Sequence, residues 1–583
     1  MTRARRVLAL RRSAGVAAAF LLLSAFATPL RALGREEISK KYEKALPLGA
    51  GQRLSIEHKH GNIRVTTHRE AKVLVNATIR VSSSDREGAE RFAEKIAIEV
   101  EPSSSGVSIR TVYPETKWEF HVSWSISFSV DYEIVMPESS PLTVRDRFGD
   151  VSVEGLKASA DVLNGNGKVS FGAGAGKQRI ENSFGSIDFA GNAGDATLVN
   201  SNGAVTVSDV EGDLEIRNRF GRTSAVRTGG RCQVSSSNGD VSVDTAKGCT
   251  ITASFGKVDV KNVAGDLAVQ NSNGSVAAIS VAGHAELATS FGALEFADLK
   301  KNVRATGSNS AVSGRKIGGD AVVRTSFGPV ELSDVGGLAD VENTNGRVRV
   351  RDVKGTARLI TRFGELDAAG IGGAATVSNG NAPITLANVA GAVELRNSFG
   401  EVNVSRTKGG AKVVSGNGRV LLADIGGPAY VKTSFGLVEA TRIDGELTVD
   451  NSNGAVNASG VQGGATVRTS FAAVTLESIG GAVDVDDQNG SVEVRGLAMR
   501  GKSCPRISIR SSFAPIRLAL DPAGGYTVSA RTSYGNVRSE LPLTTQGTSS
   551  GDALSGKIGD GRCEVTLTNS NGNIEILKGS GKS

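Results

Sequence analysis

Two histidines near the start of the chain have a spacing that could bind a metal ion. His58 and His60 are separated by one residue, so on a β-strand both imidazoles would project from the same face, with His68 nearby. Imidazole nitrogens are common zinc ligands. Polar capping of a terminal repeat unit is the simpler explanation, so we predict neither a resident metal nor any other cofactor.

The four cysteines offer a second kind of chemistry. Cys232 and Cys249 each lie six residues before an equivalent position of the repeat described below, so they should be neighbours in adjacent units. Neighbouring strands lie about 4.8 Å apart, which is within the usual Cα range of a disulfide. A bridge and a pair of buried thiols are both open. The pairing of Cys504 and Cys563, about two units apart, is open too.

An eighteen-residue pattern repeats from Phe148 to Asn489 and must position these residues. One position alternates between phenylalanine and asparagine, with a single one-residue deletion between Asn238 and Phe255. We number each unit from this residue as position 0 and call the series the Phe/Asn column. Its phenylalanines are Phe148, Phe184, Phe220, Phe255, Phe291, Phe327, Phe363, Phe399, Phe435 and Phe471. Its asparagines are Asn166, Asn202, Asn238, Asn273, Asn309, Asn345, Asn381, Asn417, Asn453 and Asn489.

The apolar residues of each unit predict two short β-strands. They fall at positions 3, 5, 8, 12 and 14, so they run with a period of two, are rich in β-branched residues and are separated by glycine turns. A helix is excluded because the spacing is wrong, and because about one glycine in eight residues would cost about 1 kcal/mol each in a helix.

Short units of two strands and two turns predict a β-solenoid. Each unit buries its apolar face only by stacking on the next, with parallel strand pairing and, by the usual crossover preference, right-handed coils. The predicted fold is therefore all-β, a single-chain parallel β-helix with coils of about 18 residues. Some twenty-three coils would form a rod roughly 110 Å long.

The Phe/Asn column has the same parity as positions 12, 14 and 16, which predicts that its side chains enter the core. Each phenylalanine would then contribute about 1.5–3 kcal/mol of burial. The intervening asparagines would leave room for the rings, and their amides could bond backbone groups at the corner. Deleting eighteen residues should then cost about 1–3 kcal/mol more than deleting thirty-six, because like residues would become neighbours in the core.

The first 27 residues have the features of an export signal. Five arginines precede the apolar run from Ala14 to Leu23, and small residues after it predict a mature start near Thr28 or Leu33. Removing those five arginines from 67 basic residues leaves 62, against 60 acidic ones. The near balance gives no electrostatic argument for nucleic acid as a partner. We expect a periplasmic, cell-surface or secreted protein without a transmembrane anchor.

Three further segments complete the domain organisation. Residues 36–142 predict a first coil, from Leu54 to Val65 with His60 in the column, followed by a small α+β cap. Its predicted elements are a helix over Asp85–Ile98 and strands over Lys72–Val81, Gly106–Val112 and Phe120–Val135. Residues 143–495 are the regular repeats. Residues 496–583 are irregular coils, in which Phe513, Tyr534 and Asn571 occupy the column.

The chain resembles a known family at several of these segments. They are the first coil, the helical insert, the strand that ends with Tyr132-Glu133-Ile134-Val135-Met136-Pro137, and repeats of the form Asn397-Ser398-Phe399-Gly400-Glu401-Val402. These segments resemble the bacterial putative-adhesin family of unknown function, which is related to the GIN-domain β-helix proteins. The resemblance implies a β-helix, and it transfers no catalytic residues.

Catalytic patterns are not recognisable in the repeats. Pectate-lyase-like sites need acidic clusters on one face, whereas the aspartates at position 7, such as Asp334 and Asp352, persist for only a coil or two. The segment from Gly336 to Val341 lacks the aspartate of a calcium-binding nonapeptide.

We therefore expect a non-enzymatic adhesin or binding rod whose ligand is a protein or glycan of the envelope or surface. The alternative is a carbohydrate-processing β-helix with an unrecognised site. A local cluster of exposed aromatics and carboxylates would indicate the enzyme, and uniform faces would indicate the rod.

Overall fold

A computed structural model describes residues 36–114, 126–497, 505–545 and 550–579. The predicted export signal, Cys504 and the first six residues of the predicted strand Phe120–Val135 lie outside the described residues. The described chain is a parallel β-solenoid with one α-helix, so the predicted fold class is confirmed.

The N-terminal end consists of seven strands and the helix. Their bounds are β1 Glu36–Pro47, β2 Arg53–Glu57, β3 Ile63–His68, β4 Lys72–Ser83, α1 Arg86–Lys95, β5 Ala97–Ser103, β6 Gly106–Val112 and β7 Ser127–Pro137.

Strands β2 and β3 form the first coil in chain order, because they pair in parallel with the next coil along the solenoid. Strands β6 and β7 pair with their other edges and add one more coil. Strand β4 pairs antiparallel with β1 on one side and with β7 on the other. Asp85 is the N-cap residue of α1 but makes no side-chain capping hydrogen bond, and the helix buries Ala89 and Ala93. The sequence missed β1 because its side chains are almost all exposed and show no strand alternation.

In the regular coils, the odd-numbered strands cover positions 3 to 8 of each unit. They are β9 Val151–Glu154, β11 Val169–Gly174, β13 Ile187–Asn192, β15 Val205–Val210, β19 Val258–Val263, β21 Val276–Val281, β23 Leu294–Leu299, β25 Val312–Ile317, β27 Val330–Val335, β29 Val348–Val353, β31 Leu366–Ile371, β33 Ile384–Val389, β35 Val402–Thr407, β37 Val420–Ile425, β39 Val438–Ile443, β41 Val456–Val461, β43 Val474–Ile479 and β45 Val492–Arg495.

The even-numbered strands start at position 12 and end near the column. They are β8 Leu142–Phe148, β10 Ala160–Asn166, β12 Gln178–Phe184, β14 Ala196–Asn202, β16 Leu214–Phe220, β20 Leu267–Asn273, β22 Ala285–Phe291, β24 Val303–Asn309, β26 Ala321–Thr325, β28 Ala339–Asn343, β30 Ala357–Thr361, β32 Ala375–Asn379, β34 Val393–Phe399, β36 Ala411–Asn417, β38 Ala429–Thr433, β40 Leu447–Asn451, β42 Ala465–Thr469 and β44 Val483–Asp487. Around the one-residue deletion, β17 Thr223–Asn238 and β18 Val241–Phe255 run through both regions.

Equivalent residues of neighbouring coils pair in register. Val330 of β27, for example, pairs with Val312 of the preceding coil and Val348 of the following one. The valines, leucines, isoleucines and alanines at the predicted apolar positions therefore form continuous buried columns along the axis.

Position 7 has a left-handed backbone in every regular coil from Gly155 to Gly496, with φ of 56° at Asp334 and 55° at Asp352. This turn in the backbone points positions 5 and 8 both inward, which accounts for their odd spacing. Aspartate, asparagine and glycine adopt this conformation most readily. The aspartates at position 7 are therefore explained by the left-handed backbone that this turn requires.

The Phe/Asn column faces solvent, so its predicted burial is wrong. The exposed fraction of its phenylalanines ranges from 40% at Phe148 to 64% at Phe471. The inward alternation ends at position 16, where Asn343 is buried, and the chain then turns so that Asn345 points outward and Gly346 inward. The rule that every second residue of a strand points inward therefore does not apply beyond position 16, because the chain turns there. The backbone contact predicted for the asparagines is present, since Asn345 Nδ2 donates to Ser326 O at 3.2 Å.

The C-terminal end departs from chain order. Its strands are β46 Ile507–Ser511, β47 Ile516–Leu520, β48 Tyr526–Thr532, β49 Val537–Ser539, β50 Thr544–Thr545, β51 Ala553–Ile558, β52 Cys563–Asn569 and β53 Ile574–Lys578. Strand β52 pairs with β46 on one side and β48 on the other, so the last coil of the sequence lies between two earlier ones. Along the axis the column therefore runs Phe513, Asn571, Tyr534.

Among the residues that the structure describes, no helix is long and apolar enough to span a membrane.

The exposed column changes the expected outcome of coil deletions. Deleting residues 309–326 places Phe291 and Phe327 on adjacent coils, but both rings lie in solvent, so no penalty for core crowding should arise. This variant should melt cooperatively within about 1 kcal/mol of one lacking residues 309–344. Deleting residues 309–317 exchanges the two strand types and should prevent folding beyond the cut. Thermal melts followed by circular dichroism give the order, and a loss of about 3 kcal/mol specific to the eighteen-residue deletion would contradict the exposed column.

Candidate functional site: an exposed aromatic stripe

Twelve exposed aromatic rings lie in the Phe/Asn column. We call them the aromatic stripe: Phe148, Phe184, Phe220, Phe255, Phe291, Phe327, Phe363, Phe399, Phe435, Phe471, Phe513 and Tyr534. The exposed fraction rises to 77% at Tyr534. Exposed apolar side chains are usually scattered singly over a protein surface, so twelve aromatic rings aligned in one row indicate an interaction surface.

The rings are separated by polar gaps of one coil. Asn309 pairs with Phe327 across the coil boundary, as Phe291 does with Asn309. Successive rings therefore stand about 9.6 Å apart, twice the strand spacing.

Nine of the twelve rings follow a serine, as in Ser326-Phe327-Gly328, and these rings have small neighbours along the chain. An arginine precedes the other three, which are Phe148, Phe220 and Phe363. The guanidinium groups of Arg147 and Arg219 lie 5.4 Å from the centroids of the rings that follow them.

Buried asparagines two residues before the column hold the corner. We call these position-16 residues the inner ladder: Asn164, Asn182, Asn200, Asn218, Asn271, Asn343, Asn379, Asn397, Asn451 and Asn569. Asn451 Nδ2 donates to Gly436 O of the preceding coil at 3.1 Å and to Gly454 O of its own coil at 2.7 Å. The sequence signal of the inner ladder is the recurring Asn-Ser pair before the column, as in Asn397-Ser398-Phe399 and Asn451-Ser452-Asn453.

Glycine at position 1 allows the coils to approach at the same corner. A Cβ on Gly203 would lie 2.1 Å from Gly185 O, and Gly203 has a φ of 139°.

Three rings, Phe184, Phe220 and Phe399, lie two residues after an inner-ladder asparagine, and most of the others lie two residues after a buried threonine at position 16. Thr325 Oγ1, for example, donates to Ser310 O of the preceding coil at 3.3 Å and to Phe327 O at 3.2 Å. Asparagine or threonine at position 16 therefore ties the corner to the preceding coil beside these rings.

The predicted metal candidates belong to an aromatic cluster at the N-terminal end. His58 is buried, and its Nδ1 lies 3.0 Å from Thr111 Oγ1, which lies 2.6 Å from Tyr132 OH. His60 is half-buried and stacks on Phe148 with ring centroids 5.3 Å apart. Burial lowers the pKa of His58 to about 4.

His68 makes contacts of its own. Its Nε2 lies 2.9 Å from Lys72 O, and its Nδ1 accepts a hydrogen bond from Glu70 N. No group of three histidine, cysteine, aspartate or glutamate residues that could hold a metal ion occurs in the described parts of the chain.

A groove lies around the coil between Asn238 and Phe255, which is one residue shorter than the other regular coils and which we call the short coil. The groove has a volume of about 830 Å³, and its lining includes Asp213, Arg231, Lys247, Asp266 and His284. Asp213 Oδ1 accepts the backbone N–H of Arg231 at 2.8 Å, and Asp266 Oδ1 accepts that of His284 at 2.7 Å. Both carboxylates thus accept a backbone hydrogen bond from the next coil, so they stabilise the stacking of the coils.

Cys232 and Cys249 lie beside this groove and pair in register, as predicted. Both are buried thiols in this structure, so formation of the bridge after export stays a prediction. Hydrogen bonding to Cys232 and burial raise the pKa of the Cys249 thiol. Cys563 is disulfide-bonded.

Comparisons with known proteins add little to this description. No family model matches the chain, and no curated protein matches it. A solved structure described as a putative cell adhesion protein from Clostridium sporogenes ATCC 15579 is similar at 8% identity, covering 49% of this chain and 100% of that one, with a TM-score of 0.15. The class of the protein, a β-solenoid with an exposed aromatic stripe, therefore follows from its own coils.

Asp146 provides a test of the inner ladder. It is 6% exposed, pairs with Asn164 of the next coil and occupies the same position 16. Burial raises its pKa to about 6, above the unfolded value of about 3.9. A raised carboxyl pKa means that stability falls as the pH rises from about 4 to 6 and stays lower above that range.

Asp146→Asn should therefore stabilise the protein by about 1–3 kcal/mol at pH 7, because it removes a buried charge and inserts the residue that the next coil carries. The gain should vanish below about pH 4. Chemical denaturation of both proteins at pH 7 and pH 4 measures it. A gain that is equal at the two pH values would show that burial does not raise the pKa of Asp146.

Proposed function

We propose that this chain is an exported, non-enzymatic binding rod of the bacterial envelope, and that it binds its ligand through the aromatic stripe. The observation that carries the proposal is the exposure of twelve aromatic rings in one row on a β-solenoid. This extends the resemblance to the adhesin family from the fold to a particular surface.

The exposed area supports a binding role. An aromatic side chain presents about 150–250 Å², so twelve rings that are about half exposed present roughly 1,200 Å². The asparagine coils divide this area among separate rings, so it is a regular row of small apolar patches along the rod. An ordinary monomer instead exposes a single largest patch of about 300–600 Å². Covering this surface with a ligand would release water from it, which is favourable by about 25 cal/mol per Å² before the costs of association.

The arrangement of the stripe favours a rod over an enzyme. The stripe is uniform along the axis, whereas a catalytic site needs a local cluster of groups. Carboxylates on the neighbouring face are held by arginines of adjacent coils. Arg358, for example, lies 2.9 Å from Asp340 and 2.7 Å from Glu342, and Arg324 also contacts Asp340. These ion pairs connect three successive coils.

The charge pattern is also compatible with a neutral ligand. Since basic and acidic residues nearly balance after the predicted removal of the signal, no long-range field selects a strongly charged partner. The ligand that we propose is a protein or glycan of the envelope or cell surface. A carbohydrate-processing β-helix is the alternative function.

Removing the stripe should abolish binding without unfolding the protein. In a variant with asparagine at Phe255, Phe291, Phe327, Phe363, Phe399 and Phe435, each new side chain is one that the neighbouring coil already carries. We expect its co-sedimentation with envelope fractions of the producing cells to weaken at least tenfold, because each ring contributes burial energy.

A matched control replaces exposed apolar residues outside the stripe, with Leu163→Asn and Ile279→Asn, and should bind as the wild type does. Unchanged binding of the stripe variant would contradict the proposal. So would turnover of a polysaccharide that a single carboxylate substitution abolishes.

A further inference from the structure

The proposed function requires an apolar stripe, but it does not require the gaps. Phenylalanine at every coil would give twice the apolar surface, yet every second coil carries asparagine, with His60 taking that place in the first coil. The asparagines are half-buried or exposed and leave a recess one coil wide beside each ring. The stripe is therefore a row of knobs and gaps.

The alternation is retained where the repeat is interrupted. It continues through the short coil, in which Asn238 pairs directly with Phe255. At the C-terminal end the sequence order is phenylalanine, tyrosine, asparagine, but the last coil inserts between the other two. Asn571 N donates to Ser512 O at 2.7 Å, and Tyr534 N donates to Ser570 O at 2.8 Å. The order in space is again ring, gap, ring, so the alternation follows spatial adjacency.

A partner for such a surface must have knobs with the same spacing of about 9.6 Å. A ligand with any other repeat loses register after a few coils. A second solenoid of this sequence has an identical repeat, so its rings can enter the gaps along the whole length of the stripe.

The symmetry of a dimer selects one relative orientation. A two-fold axis along the rod would place ring against ring at each level. A two-fold axis perpendicular to the rod, midway between a ring coil and a gap coil, places each ring over a gap of the other copy. Such an isologous contact closes as a dimer.

The number of column residues fits this antiparallel arrangement. From His60 to Tyr534 along the axis, the twelve rings of the stripe alternate with twelve other residues, which are eleven asparagines and His60. A two-fold axis between the coils of Phe327 and Asn345 overlays these twenty-four coils of the two copies, and the additional coil of β6 and β7 lies beyond them. This axis pairs eleven rings with an asparagine, whereas Tyr534 meets His60, whose imidazole already stacks on Phe148.

We propose that the partner of the aromatic stripe is a second copy of this chain, packed side by side and antiparallel, with each ring seated in a gap of the other. The inference rests on the proposed function, since it names the partner of the same surface. The roughly 1,200 Å² of ring surface per copy exceeds the ~800 Å² per partner of a standard stable interface. The protein would then bind homotypically.

Two sets of substitutions test the fit of knobs into gaps. The first removes rings, with Phe291→Asn, Phe327→Asn and Phe363→Asn. The second fills gaps, with Asn309→Phe, Asn345→Phe and Asn381→Phe, and so makes the stripe more apolar. Sedimentation velocity of the full chain should show a wild-type dimer at micromolar concentration, and both sets should weaken it at least tenfold. The variants with Leu163→Asn and Ile279→Asn are the control, and thermal melts verify that all variants fold.

Non-specific apolar association would instead be strengthened by the filled gaps, and that result would overturn the inference, as would a monomeric wild type. If the wild type is monomeric while the stripe still binds envelope fractions, the proposed function stands and the partner is another molecule. If the dimer forms but envelope binding does not need the stripe, the homotypic contact stands and the proposed function fails.

Spectroscopic labels distinguish the orientation. In the antiparallel dimer, labels on Glu331→Cys lie near the two-fold axis and close to each other. Labels on Glu154→Cys lie at opposite ends, about 100 Å apart. Energy transfer between copies should occur for the central label and not for the terminal one. Equal transfer at both positions would require parallel packing and would overturn the antiparallel contact.

Discussion

The corner between position 16 and position 1 is the constraint on which the rest of the structure depends. An inner-ladder amide donates to backbone carbonyls of its own coil and of the preceding one, as in Asn451, while glycine next to the column lets the backbones approach. The Nδ2 donors satisfy buried carbonyl groups, which would be costly to leave unbonded, while the Oδ1 atoms of the same asparagines are buried without a partner in the described ranges of the chain. Where a ring follows a threonine, as Phe327 follows Thr325, the hydroxyl donates to the same kind of carbonyl group. These contacts at position 16 fix the path of the chain before it turns to the exposed column.

This arrangement separates stability from recognition. The apolar columns and the inner ladder lie inside and set the register of each coil on the next. The aromatic stripe lies outside and is replaceable without loss of a core contact. The reversed chain order at Asn571 and Tyr534 supports this separation, because the alternation is kept there although the repeat is not. A solenoid of this kind can vary its length or its surface independently.

Much of the fold was predictable from the sequence, since apolar spacing such as Val330, Leu332 and Val335 reports directly on strands. The helix next to Asp85 was predictable for the same reason. The direction of the column was not, because strand parity fails at a corner and asparagine at position 16 looks like an ordinary polar residue. Strand β1 and the insertion of the last coil depend on pairing between distant segments, which local patterns do not encode. The column was recognisable from the sequence, but only as a row of core residues, so the sequence predicted no binding surface at these positions.

The central claim is that position 16 stabilises the coil and position 0 does not. Asn397 and Phe399 test it on one strand, because Asn397 is 5% exposed and donates to Gly400 O at 3.1 Å, whereas Phe399 is 51% exposed. Chemical denaturation should show that Asn397→Ala lowers stability by about 1–3 kcal/mol, since it leaves buried carbonyls without a donor. Phe399→Ala should change it by less than about 0.5 kcal/mol, as exposed sites do. A larger loss for Phe399→Ala than for Asn397→Ala would contradict the account.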